Sequence, residues 1–114
     1  MSGGTLNWQV EDRDGARIVT PDGRVDESTA TAFTERLIAE AGAAWGKLVL
    51  DLSGIAYMSS RGLRALTLAQ REGTRAGSTL LLAKPNETMR EILAISRYDM
   101  IFKVTETIDE ALAA

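Results

Sequence analysis

The sequence predicts a single α/β domain: a mixed, mainly parallel sheet of four to five strands, with an N-terminal hairpin and about four helices packed on it. Three observations predict it. Segments with strand period alternate with segments of helix period along the chain, the pattern that builds parallel sheets from crossover units. The run Lys47 to Asp51, KLVLD, is almost wholly apolar, as a central strand covered on both faces must be. The first two apolar segments are separated only by Asp14 and Gly15, a pair that makes the tight turn of a hairpin.

The elements follow in order. Leu6 to Glu11 alternates, with Leu6, Trp8 and Val10 on one side, as in a half-buried strand. After the turn, Ala16 to Thr20 around Ile18 and Val19 reads as the returning strand, and Pro21-Asp22-Gly23 as the close of that unit. From Asp26 the period becomes helical, with Ala30, Phe33, Leu37 and Ala41 three and four apart and Gly42 and Gly46 at its end. KLVLD is the central strand, and Leu52 to Met58 reads as a loop.

A helix is expected from Ser60 to Arg75, with Leu63, Leu66 and Ala69 inward and Gly77 as its stop. Thr79 to Ala83 is the next apolar strand. Asn86 can cap a helix to Ser96 that turns Met89, Ile92 and Leu93 inward. Ile101 to Val104 is a last short strand, and Thr107 with Glu110 forms a capping-box pattern for a terminal helix. Ile18, Leu48, Leu50, Leu63, Leu66, Leu80, Leu82 and Ile92 are the expected core.

Composition narrows the function. With 114 residues, 45% of them hydrophobic and 25% charged, the chain can bury one core and has no room for a second. Residues 1–5 are expected to form a flexible N-terminus and residues 6–114 the domain. Thirteen basic against 16 acidic residues leave a net charge of −3, the wrong sign for a nucleic-acid binder. There is no cysteine and no histidine, which removes disulfides, thiolate and imidazole metal ligands, and His-based triads. No G-x-x-x-x-G-K-[ST] loop is present. No catalytic residue, metal site or cofactor is therefore assigned. No apolar run approaches the ~20 residues of a membrane span, and Met1 to Thr5 lack the regions of a signal segment. A cytoplasmic protein without membrane insertion is expected.

Asp51 to Leu66 reads DLSGIAYMSSRGLRAL. It resembles the signature of the STAS domain family, which includes bacterial anti-sigma factor antagonists: a strand ending in D-L-S, an aromatic-apolar pair, then a serine at a helix start followed by Gly-Leu. Gly23-Arg24-Val25-Asp26 resembles the family's second feature, a G-x-[LV]-D segment opening the first helix. The order of elements is also the family's, so the resemblance covers nearly the whole chain and implies a STAS-like fold. Carried over, the family's phosphorylated hydroxyl falls on Ser60, two before Gly62. Ser59 is the runner-up, and it stands where well-known antagonists often have Asp. The resemblance also implies that Asp26 lies beside the serine loop on the partner-binding surface, together with Ser59 and Ser60.

Each of these residues has a plainer reading. Ser59 and Ser60 are good helix caps, and so is Asp26 at the start of the first helix. A phosphate on Ser60, by contrast, would put roughly −1.5 to −2 charges at the positive end of a helix, within reach of Arg61 or Arg64. On the helix that follows, Arg61, Arg64, Arg71 and Arg75 fall within a sector of about 80°, with Leu68 among them. That stripe is either a solvated face or a docking face, and the second reading adds Arg61, Arg64 and Leu68 to the partner-binding set. Asp51 ends the central strand as an aspartyl-phosphate acceptor would, with Glu11 and Asp12 as an acidic cluster. The hairpin topology speaks against that, and Asp51 is expected to hydrogen-bond the backbone of the following loop.

The resemblance implies an anti-sigma factor antagonist without catalytic activity. Unphosphorylated, it would hold an anti-sigma factor that is also a serine kinase; phosphorylation of Ser60 by that kinase would release it, and a serine phosphatase would reset it. The alternative is a constitutive STAS adaptor, for example docked on the ATPase of a lipid-transport complex. An enzyme would need a Lys base for a Ser nucleophile, and Lys47, Lys84 and Lys103 show no local partnership with Ser60. The sequence is compatible with a monomer or a dimer.

Overall fold

The computed structural model describes residues 6–114, so the expectation for residues 1–5 lies outside the described residues. The elements in chain order are β1 (Asn7–Arg13), β2 (Ala16–Val25), α1 (Ala30–Ala43), β3 (Gly46–Asp51), β4 (Ile55–Met58), α2 (Ser60–Ala76), β5 (Ser78–Ala83), α3 (Glu87–Ser96), a 3-10 turn (Tyr98–Met100), β6 (Val104–Thr105) and α4 (Ile108–Ala113). The sheet runs β1-β2-β3-β5-β6, and β4 pairs with β2. β1 and β2 are the antiparallel hairpin, turning through Asp14 and Gly15, both at positive φ; the other pairings are parallel.

The period-two pattern of the central strands sorts the core into two layers. Leu48, Leu50, Leu80 and Leu82 face Phe33 and Leu37 of α1, Leu66 of α2, and Met89 and Leu93 of α3. Val49, Leu81, Ala83 and Ile18 face the other way and are covered by Ala111 of α4, with Ile108 and Leu112 at the margin. KLVLD is thus central and covered on both faces, as its composition requires. The expected core residues are buried except Ile92, which is half-buried at the edge of the larger layer.

Five local expectations need correction. Pro21-Asp22-Gly23 does not end the hairpin but lies inside β2. β2 pairs with β3 only as far as Val19 and with β4 only from Gly23, so Pro21, which has no N–H to give, sits where the strand changes partners. Second, the segment read as a loop contains β4, which makes the sheet six-stranded. Ala56 and Tyr57 lie exposed between buried Ile55 and Met58, a strand too short and too open for its period to register. Third, the last strand is Val104–Thr105 rather than Ile101 to Val104, because the chain first makes a 3-10 turn and leaves Ile101 exposed. Fourth, α1 begins at Ala30 with Thr29 at its N-cap position, where the Thr29 side chain makes no cap hydrogen bond, and Asp26 is not the N-cap. Val10, expected on the inward side of β1, is also exposed, because β1 is a sheet edge and only Leu6 and Trp8 reach the core.

Candidate functional site

The parallel strands β2 and β4 end side by side, with Val25 beside Met58. The amide of Ser59 donates to the Val25 carbonyl at 2.8 Å, which extends the pairing one step and fixes where α2 starts. From this pair one chain continues into Asp26 and the other into the serine doublet. Parallel neighbours lie about 4.8 Å apart and each chain then advances one residue of 3.8 Å, so Asp26 and Ser59 have Cα atoms within ~12 Å of each other. The two segments that the sequence singles out therefore share one end of the sheet.

The two serines divide their work. Ser59 is the N-cap of α2: its backbone is extended, its side chain accepts from the Gly62 amide at 3.3 Å, and its carbonyl accepts from the Leu63 amide at 2.9 Å. Ser60 is the first helical residue, and it is exposed. Its hydroxyl has no hydrogen-bond partner among the described residues, so a reagent that reaches the helix end meets an uncommitted nucleophile among free N–H groups.

Asp26 has work of its own. One carboxylate oxygen accepts from the Ser28 amide at 3.0 Å and the Ser28 hydroxyl at 2.7 Å, and the other lies 3.6 Å from Arg24 Nε. These Ser28 hydrogen bonds, with the Arg24 charge behind them, hold its pKa below the usual carboxylate value. Its carbonyl accepts from the amides of Thr29 and Ala30, and the Thr29 hydroxyl donates to the Arg24 carbonyl at 2.6 Å. Residues 26–29 therefore form a hydrogen-bonded turn one step ahead of α1, in which Asp26 is half-buried.

Around these groups, Arg61 donates to Thr31 Oγ1 at 2.9 Å and lies 3.9 Å from Glu27, tying α2 to the start of α1. Arg64 is exposed and makes no ion pair among the described residues, and Leu68 is half-buried. Arg24, besides approaching Asp26, stacks over the Tyr57 ring at 4.8 Å from its centroid. This Arg24–Tyr57 pair, with Ser28, is the part of the site that sequence reasoning missed. Arg24 and Tyr57 both stand inside the two motifs, but their meeting depends on the β2–β4 pairing, and the four residues of β4 carry no alternating period that signals it.

Asp51 behaves as expected. Its carboxylate accepts from the Ser53 amide at 2.9 Å and the Ser53 hydroxyl at 2.7 Å, and Lys84 Nζ lies 3.9 Å away. Asp12 is committed to Arg17 at 2.8 Å near the hairpin turn, beside the start of β3, while Asp51 is at the end of β3. Among the described residues no group of three or more acidic side chains could hold a metal ion. The loop after Asp51 is held instead by Asn86, whose side-chain amide donates to the Ile55 carbonyl at 2.7 Å while its oxygen caps α3 through the Met89 amide at 2.9 Å. No helix among the described residues is long and apolar enough to cross a membrane.

Comparison with known proteins gives the family and the fold. Residues 7–111 match the model of the STAS domain family. BtrV of Bordetella bronchiseptica, whose name assigns it as an anti-sigma factor antagonist, is 31% identical over 101 residues, covering 89% of this chain and 87% of its own. The crystal structure of an anti-sigma factor antagonist from Mycobacterium paratuberculosis superposes with a TM-score of 0.80 at 28% identity, over 95% of this chain and 92% of that one. An antagonist structure from Thermotoga maritima has the same fold, with a TM-score of 0.82 at 23% identity, over 93% and 92% of the two chains.

Proposed function

The chain belongs to the STAS domain family, and from that premise we propose that it is an anti-sigma factor antagonist working as a phosphorylation-controlled partner switch. Unphosphorylated, it binds an anti-sigma factor that is also a serine kinase. The kinase phosphorylates Ser60 and lets go, and a serine phosphatase restores binding. The partner surface comprises Asp26, Ser59, Ser60, Arg61, Arg64 and Leu68. The protein itself is a cytoplasmic binding module with no catalytic step.

One observation carries this reading: Ser60 is exposed at the first turn of α2 with its hydroxyl unused, while its neighbour Ser59 does the capping. A phosphate on Ser60 thus costs the helix no cap and gains from its positive end. The structure need not change for the surface to change sign, which suits a switch read by docking. A phosphate on Ser59 would displace the cap instead.

The test is intact-mass measurement and phosphopeptide mapping of the protein isolated from its own cell, with identification of what co-purifies. A phosphate on Ser60 together with a small ATP-binding kinase supports the switch. A chain without phosphate that travels with a transporter ATPase establishes the adaptor reading in its place.

A further inference from the structure

We propose that the exposed ridge of α2 is a docking surface for an acidic segment of a partner protein, and that a phosphate on Ser60 closes this surface by drawing Arg64 out of it. The second half rests on the reading of Ser60 given above; the first stands without it.

The ridge is an anomaly of charge. In a chain of net charge −3, α2 carries Arg61, Arg64, Arg71 and Arg75 against a single acid, Glu72. At about 100° per residue the four arginines and Leu68 span a sector of about 80°. On one flank Arg61 ties to Thr31 of α1, and on the other Thr67 donates to the Tyr98 hydroxyl at 3.3 Å. The strip between these flanks is what a partner would meet.

The two ends of the strip are engaged and its centre is not. Arg61 has Thr31 and Glu27, and Arg75 has Glu72, with Nε at 3.1 Å from the carboxylate. Arg64 and Arg71 are exposed and have no ion pair among the described residues. They stand two turns apart, about 10 Å along the axis, with half-buried Leu68 between them. Both are arginines, whose planar forks match carboxylates two bonds at a time. The complement is a segment with two carboxylates about two helical turns apart and an apolar residue between them.

An anionic membrane would need more. Interfacial binding takes a broad apolar face to sink among the headgroups, and Leu68 alone, half-buried, supplies none. The observations favour protein.

Regulation follows from spacing. Ser60 and Arg64 are i and i+4, neighbours on one face of the helix. A phosphoserine offers three acceptor oxygens and nearly two charges, and Arg64 has no ion-pair partner among the described residues to give up. The phosphate therefore both adds negative charge at one end of the ridge and removes one of the two free arginines from its centre.

The probe is a 15-residue helical peptide bearing Glu at two positions seven apart with Leu midway, and a control with both Glu replaced by Lys. Shift mapping by NMR should place the Glu peptide on residues 61–75, with the Nε–H signals of Arg64 and Arg71 moving. The double variant Arg64→Glu/Arg71→Glu should bind about tenfold more weakly, the effect two exposed ion pairs supply, with an unchanged unfolding midpoint. The Lys peptide should not bind. Protein carrying phosphoserine at position 60 should bind the Glu peptide several-fold more weakly, and Arg64→Gln should shrink that phosphate effect to under about twofold. Shifts that map away from α2, or equal binding of both peptides, overturn the docking surface. So does Arg64- and Arg71-dependent binding to phosphatidylserine vesicles without peptide binding. A phosphate effect of the same size in wild type and Arg64→Gln overturns the coupling. Absence of phosphate on Ser60 in the cell would sink the partner switch while leaving the peptide result standing, so the two failures are distinguishable.

Discussion

Gly62 packs against Val25 with no room for a methyl group: a Cβ on Gly62 would lie 2.7 Å from Val25 Cγ1, and 2.5 Å from Met58 Cγ. The same glycine donates its amide to the Ser59 side chain. The first turn of α2 is thus pressed onto the paired ends of β2 and β4 at one residue that must be small, whose amide Ser59 caps. This contact is what brings the serine doublet to the Asp26 turn, and it gives a physical reason for a glycine two residues after the candidate serine.

Gly62→Ala should therefore destabilise the fold despite the better helix propensity of alanine. Val25 is stiff at χ1 and fully buried, so relief must come from Met58 or from a shift of the helix. Overpacking of this kind costs typically ~1–3 kcal/mol. Urea unfolding measures it. A neutral or stabilised Gly62→Ala protein would mean that the close approach is not a constraint in solution.

The division of labour between the serines predicts unequal costs for two similar substitutions. Ser59→Ala removes the cap on the Gly62 amide and should cost about 1 kcal/mol. Ser60→Ala removes a hydroxyl that bonds to nothing among the described residues and should lie within ±0.5 kcal/mol of wild type, as surface changes do. Thermal or urea unfolding of both proteins, side by side, decides it. A reversed order would put the cap on Ser60.

Asp26 makes an acid-side prediction. Its ordinary pKa is 3.8, and the Ser28 hydrogen bonds lower it in the folded chain. A folded pKa below the unfolded one contributes stability that is present above the unfolded value and is lost as pH falls through the folded one. NMR titration should find the Asp26 midpoint below 3.8, and Ser28→Ala should move it up. The Ser28→Ala protein should then lose less stability than wild type on acidification below pH 4. An Asp26 midpoint that ignores Ser28 would show that the turn is not closed in solution.

The sequence made the large elements legible where pattern and burial agree. KLVLD, the stripe of Phe33 and Leu37, and the caps at Asn86 and Thr107 all act in the fold as read, the last with both halves of its capping box formed. The failures lie where tertiary pairing overrides local signals. Pro21-Asp22-Gly23 is turn chemistry by any local rule, yet pairing with β1 carries β2 as far as Asp22 and pairing with β4 takes over at Gly23. β4 exists because Val25 and its neighbours offer an edge, not because IAYM insists on a strand. The candidate site was legible as two motifs, and their proximity was implied by resemblance alone. The Arg24–Tyr57 contact that lies between them could only be seen once β4 was placed.

The final prediction concerns the switch itself. With the kinase partner in hand, Ser60→Ala should bind it as wild type does and resist phosphorylation, while Ser60→Asp should bind more weakly. Alanine keeps a helix-compatible backbone at an exposed position whose hydroxyl does no structural work. Aspartate places a charge on the surface that the partner must desolvate, and a buried charge without a partner can cost several kcal/mol. Arg64 four residues on offsets part of that charge, so the loss for Ser60→Asp should be smaller than for phosphoserine, which carries more charge. Ser59→Ala serves as the control, read together with its unfolding midpoint because it also loses a cap. Binding is measured by calorimetry and labelling by transfer of phosphate from ATP. If Ser60→Ala is still labelled and Ser59→Ala is not, the modified residue is Ser59. If all three variants are labelled alike, the phosphate goes elsewhere and the exposed hydroxyl of Ser60 is not the switch.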